Sequence, residues 1–161
     1  MNLEAFCAWL ESQSVAVAIA QSSWLFPAVE SLHVIALTLV VGSIAMLDLR
    51  LLGLRTSPRV TELAAHLLPF TWSAFAAAVV TGLVLFSSQA TVYYDNVPFR
   101  LKLVLLAAAG LNMAVFHAFS FREVARWDQA ARPRLSARLA GGLSLSLWTG
   151  IVFLGRWIAF V

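Results

Sequence analysis

Long apolar runs alternate with short polar links along the chain. The runs extend from about Phe26 to Leu47, Leu67 to Phe86, Leu101 to Phe121 and Leu139 to Val161. Each is close to the roughly 20 residues a helix needs to cross a bilayer. The second, third and fourth are dominated by Ala, Leu, Val and Gly, without the alternation of a strand. A lone strand in lipid would also leave its backbone hydrogen bonds unmade. Four transmembrane helices (26–47, 67–86, 101–121 and 139–161) are therefore predicted within a single integral membrane domain, residues 1–161, with no internal repeat.

The segment before Pro27 reads differently. Leu3, Phe6, Cys7 and Leu10 recur on one helix face, while Glu4 and Glu11 lie elsewhere. Without a basic n-region it does not read as a secretory signal. Residues 1–24 are predicted to be an interfacial segment, with Trp24 at headgroup level. The predicted fold is all-α: a transmembrane four-helix bundle preceded by an N-terminal interfacial amphipathic helix.

Charge orients the spans. The first link, Arg50 to His66, carries Arg50, Arg55 and Arg59, and the third carries Arg122, Arg126, Arg132, Arg134 and Arg138. The other side has only Arg100, Lys102 and Arg156. The positive-inside rule then places both termini outside the cytoplasm.

Composition strengthens the membrane reading. Hydrophobic residues make up 61% and charged residues 12% of the 161-residue chain, against about 25% charged in soluble domains. So small a domain cannot hide that much apolar surface from water, so the surplus is expected to face lipid. The pI near 9.8 follows from the topology of the arginines, and no nucleic-acid partner is expected. The single Cys7 excludes an intramolecular disulfide and a Cys-cluster metal site.

Ionisable residues inside apolar spans are costly and usually functional. Glu30 and His33 lie near the outer end of the first span. His33 is six residues from Pro27, roughly 9 Å along a helix. His117 lies 18 residues from Phe99, roughly 27 Å down the third span and so near the inner face. If the spans form one bundle, Glu30, His33, Arg100, Lys102 and Arg156 share the outer depth. One imidazole beside cations suits haem, whose iron takes a histidine nitrogen and whose propionates take basic side chains. On the inner side, His117 has Arg122 and Arg126 beyond it.

Depth forbids His33 and His117 from sharing one haem within a protomer. His66 or Met46 is the inner-face partner available to His117, and His33 has no evident second ligand. Each feature also has a plainer reading. Arg100, Lys102 and Arg122 snorkel, His33 and His117 make hydrogen-bonded helix contacts, His66 is an interfacial histidine without a ligand role, and Arg156 pairs with Glu30. Glu30-x-x-His33 has the spacing of a di-iron half-site, but no second Glu-x-x-His exists. Gly142, Ser146 and Gly150 form a small-residue stripe, and Gly42, Gly82 and Gly110 read as close helix contacts. No Ser-His-Asp, Walker, HExxH or Gly-rich phosphate motif stands out.

The segments WLFPAVESLHVIALTLVVGSIAMLDLRLLGL, LLPFTW, FRLKLVLLAAAGLNMAVFH and GRWIAF together resemble an uncharacterised bacterial family of small four-span inner-membrane proteins. The matching positions are Glu30, His33, Asp48, Arg50, Arg100, Lys102, Asn112, His117, Arg156 and Trp157, whereas His66 falls outside any expected motif. More loosely, the chain is similar to copper-resistance D and four-helix cytochrome b membrane proteins, in which intramembrane histidines hold haem or handle metal. It departs from the di-haem cytochromes in lacking four intramembrane histidines. The resemblance implies a multi-pass protein of the bacterial inner (cytoplasmic) membrane, in which the positive-inside rule makes both termini periplasmic.

The expected function is haem b binding in membrane electron transfer. The cofactor-binding residues would be His33, His117, Glu30, Arg100, Lys102 and Arg156; the metal ligands would be drawn from His33, His117, His66 and Met46. If redox-active, the chain would be an electron-transfer subunit rather than a hydrolase. Expected partners are the lipid bilayer, a quinone or redox protein, and a second copy of the chain. The alternatives are a copper or small-solute binding or transport module and a cofactor-free accessory subunit.

Overall fold

The structure is a computed structural model that describes residues 3–55, 57–128 and 133–160, without the side chains of residues 125 and 126. Among these residues every regular element is helical. Helices α1 (Leu3–Glu11) and α2 (Ser14–Gln21) precede α3 (Leu25–Leu51), α4 (Val60–Ser88), the short α5 (Ala90–Asp95), α6 (Val97–Val115) and α7 (Leu135–Trp157). A π-helical turn (Phe116–Ser120) and a 3-10 turn (Phe121–Arg126) extend α6.

Four helices are long and apolar enough to cross a membrane: α3, α4, α6 with its extension, and α7. They form an antiparallel four-helix bundle in which α3 packs against α4 and α7, and α7 against α6. Val40, Ala74, Ala109, Trp148 and Ile151 make the central core, with at least one residue from each span. Between 11% and 22% of the most apolar window of each span is buried. Phe70, Leu111, Phe119 and Phe153 remain at least 66% exposed. Apolar surface on that scale calls for lipid or a partner around the bundle, and the chain reads as a multi-pass membrane protein.

The observed spans outrun the predicted ones at the polar ends. α4 begins at Val60 rather than Leu67, which places His66 inside the helix instead of in a link. Helical hydrogen bonds are made by backbone, so a few polar side chains at the end of a span do not stop the helix. Pro69 sits inside α4, where it removes one backbone donor, a loss tolerated in helices of this kind. The second link contains the unforeseen α5.

α3 stops where its sequence demands. Gly53 adopts φ 81°, and the amides of Gly53 and Leu54 bond back to the carbonyls of Arg50 and Leu49 at 3.1 and 3.2 Å. This pairing is the Schellman closure that glycine permits.

The N-terminal segment is two helices, not one. α1 and α2 meet at 67° and pack on α4 and α5. Glu11 fastens them: the amide and hydroxyl of Thr91 both donate to its Oε1 at 2.8 Å. Cys7 is buried, whereas Leu3 and Phe6 are exposed, so the predicted apolar face is only partly covered.

Small residues set the helix spacing, at Gly150 of the expected stripe, where an added Cβ would stand 2.9 Å from Leu105 Cδ1, and at Gly141 beside that stripe. Gly141 makes the tight contact of α7 with α3, since an added Cβ would stand 3.1 Å from the Asp48 carbonyl oxygen. Gly142 meets only Leu52, at 3.6 Å, while Gly150 faces Leu105 of α6. Gly82 is a close contact, whereas Gly42 and Gly110 have nothing within 4 Å.

Candidate functional site

The termini lie at one end of the bundle and the arginine-rich links at the other. Near the terminal end the antiparallel register of α3 and α4 aligns polar side chains. His33 Nδ1 meets Thr81 Oγ1 at 2.9 Å. Ten residues further along α3, the Thr71 hydroxyl donates to Ser43 Oγ at 2.7 Å. Ser43 passes its own proton to the Val40 carbonyl.

The His33 contact has a direction. The Thr81 hydroxyl points back at the Ala77 carbonyl at 2.7 Å, so its proton is engaged within α4. Thr81 therefore accepts from His33, which places the proton on Nδ1 and leaves the Nε2 lone pair free. Gly82 makes room for the ring: an added Cβ would lie 3.0 Å from Cε1 and 3.9 Å from Nε2.

Lys102 completes this cluster from the other pair of helices. It leaves the second turn of α6 and lies along Gly155 of α7, where an added Cβ would be 3.4 Å from Nζ. It is half-buried and close enough for its charge to act on His33. No described group hydrogen-bonds its ammonium. All four spans thus contribute at one depth: His33, Thr81 with Gly82, Lys102, and Gly155.

The remaining outer residues do not join it. Glu30 and Arg100 are exposed. Arg156 is exposed and lies over the Phe160 ring, 5.0 Å from its centroid; the Arg156–Glu30 pairing considered from sequence does not form. Glu30 acts instead on Tyr93. Tyr93 packs with Phe86 and Phe99, with ring centroids 5.4 to 6.3 Å apart. Burial first, and the Glu30 charge second, push the Tyr93 hydroxyl above its ordinary value.

His117 lies at the far end, in the π-helical turn, where its Nδ1 donates to the Met113 carbonyl at 3.0 Å. Its ring contacts Phe116 and Phe121. His66 is exposed and donates to the Glu62 carbonyl at 2.8 Å. Carbonyl oxygens only accept, so both rings also carry their proton on Nδ1 and keep Nε2 free. Met46 is 48% exposed. Among the described residues no group of three or more His, Cys, Asp or Glu could hold a metal ion. The Arg126 side chain and all of Arg132 lie outside the described residues.

Sequence reasoning did not assign roles to a second polar cluster at the arginine end. Arg50 is buried, with Nε donating to the Pro58 carbonyl at 2.8 Å and Nη2 to the Asp128 carbonyl at 3.0 Å. The Asp128 carboxylate accepts from the amide and hydroxyl of Thr61, capping α4. Asp48 is buried beside Ser144. One signal was available: at helical spacing Asp48 falls near the stripe of His33, Val40 and Leu51. Asp128 had none, because its partners are remote in sequence.

The class the fold defines is a multi-pass, all-helical bundle of membrane type, with a half-buried imidazole and a half-buried ammonium towards one end. Comparisons with protein-family models, with curated proteins and with solved structures gave no match.

Proposed function

We propose that the protein binds haem b and serves as a cytochrome-like electron-transfer protein of the bacterial inner membrane, with both termini periplasmic. The observation that supports this most is the tautomer of His33. Its Nδ1 proton is held by Thr81 and its Nε2 lone pair is free, the arrangement in which a second-shell partner orients an imidazole toward iron. Haem supplies one-electron chemistry when bound. His33 would hold the haem iron through its Nε2. Lys102 would neutralise a propionate, being the outer-depth cation turned into the bundle. Gly82 and Gly155 keep side-chain bulk away from these two groups.

His117 is a second residue that would hold haem iron, at the opposite end, with Met46 or His66 as its partner from the sequence. Glu30, Arg100 and Arg156 are exposed towards the same end of the bundle, where a quinone or redox protein would approach.

The full chain, purified from membranes in mild detergent and supplied with haem, is expected to show a Soret band and a reducible b-type spectrum. His33→Ala should remove or shift that spectrum while the protein remains helical by circular dichroism. A preparation without a Soret band after supplementation would overturn the haem reading. In that event, a loss of thermal stability in His33→Ala would identify the cluster as a helix clamp of an accessory subunit.

A further inference from the structure

A groove of about 400 Å³ runs along the exposed side of α7, beginning at the arginine end. Arg138, Gly142 and Ser146 follow one another in it at four-residue spacing, with Leu139, Leu143 and Leu52 around them. From Arg138 to Ser146 the helix rises roughly 12 Å. Gly142 leaves the floor open, since an added Cβ would meet only Leu52, at 3.6 Å. The Ser146 hydroxyl already donates to the Gly142 carbonyl at 3.0 Å, so the floor needs no further polar partner. Leu139 and Leu143 are 65% and 51% exposed, which opens the groove to whatever surrounds the bundle.

One end of this groove is cationic. Arg138 is exposed, and among the described residues its guanidinium makes no hydrogen bond or ion pair. Every Asp and Glu of the chain is among those residues, and none pairs with Arg138. Arg138 also occupies the first turn of α7, which has no acidic residue and no side-chain cap. A cation in that position opposes the helix dipole. A negative headgroup would answer both charges, and the apolar groove beyond it suits a hydrocarbon chain. A second copy fits less well. Two chains of one orientation, related by a two-fold axis, would bring their Arg138 side chains to the same depth, like charge against like charge.

We propose that this groove holds one anionic phospholipid of the surrounding bilayer, with its headgroup on Arg138 and an acyl chain along Gly142 and Ser146. The site is at the opposite end of the bundle from His33 and does not depend on haem.

The test uses the purified full chain in mild detergent, supplied with equal amounts of phosphatidylglycerol and phosphatidylcholine. Native mass spectrometry counts the lipids retained, and circular dichroism checks that each variant stays helical. One phosphatidylglycerol per chain, held in preference to phosphatidylcholine, is expected. Arg138→Gln should weaken retention about tenfold through loss of one charge-assisted contact. Ser146→Trp, at an exposed position, fills the groove and should also release the lipid while leaving Arg138 in place. Arg59→Gln, an exposed arginine outside the groove, should change nothing. Equal retention of the two lipids, or unchanged retention in Arg138→Gln or Ser146→Trp, would overturn the proposal. An equal loss in Arg59→Gln would overturn it too, by showing that only the overall charge of that end attracts lipid. A lipid-free dimer that Ser146→Trp dissociates would give the groove to a second copy instead.

Discussion

A methyl group added at Gly82 would stand 3.0 Å from Cε1 of His33, a ring held on its other side by Thr81. The imidazole has little freedom to yield without losing that hydrogen bond. Overpacking costs about 1–3 kcal/mol, more than the gain of up to about 1 kcal/mol from alanine's better helix propensity. Gly82→Ala is therefore expected to lower the thermal stability of the detergent-solubilised protein. Gly110→Ala meets nothing within 4 Å and should raise it slightly. A melting curve for each variant checks the contrast. Both glycines look alike in sequence, since a lone Gly in a span reads as a close contact. His33 opposite Gly82 is what separates them.

Helix starts depend on groups brought from elsewhere in the chain. Arg59, the residue capping α4, provides no side-chain cap; Asp128 supplies one instead, through the amide and hydroxyl of Thr61. Losing a cap costs about 0.5–2 kcal/mol. Asp128→Ala should destabilise the protein by that amount and speed amide exchange over residues 60–64. Unchanged exchange there would mean that α4 starts without this carboxylate. The centres of all four spans were legible because an apolar run of that length has one physical solution in lipid. Their ends were not. α4 continues through Glu62 and His66, where hydropathy fades but the backbone ladder does not. The N-terminal segment was legible as amphipathic, yet its break between α1 and α2 follows from docking on α4 and α5.

Across the bundle, the described arginines of the first and third links gather at the end opposite the termini. The positive-inside rule predicts that this end is cytoplasmic. Reporter fusions after residue 161 and within residues 54–59 should then report opposite sides, with the C-terminal fusion periplasmic. A cytoplasmic signal from the C-terminal fusion would reverse the orientation and expose the His33 cluster to the cytoplasm. The exposed Phe70, Leu111 and Phe119 require an apolar surrounding in either orientation.

Hydropathy and length were enough to establish an all-helical bundle of four spans and to mark His33, Lys102 and His117 as polar groups that interrupt apolar runs, because apolar runs and the charges that interrupt them are local facts. The partner of each group is not local. Thr81 fixes the His33 tautomer from the next helix, Gly155 admits Lys102 from the last, and Arg50 is enclosed by Pro58 and Asp128. Those pairings depend on which helix faces meet and in what register. The folded arrangement sets both through the fit of small residues such as Gly82 and Gly141 against their neighbours.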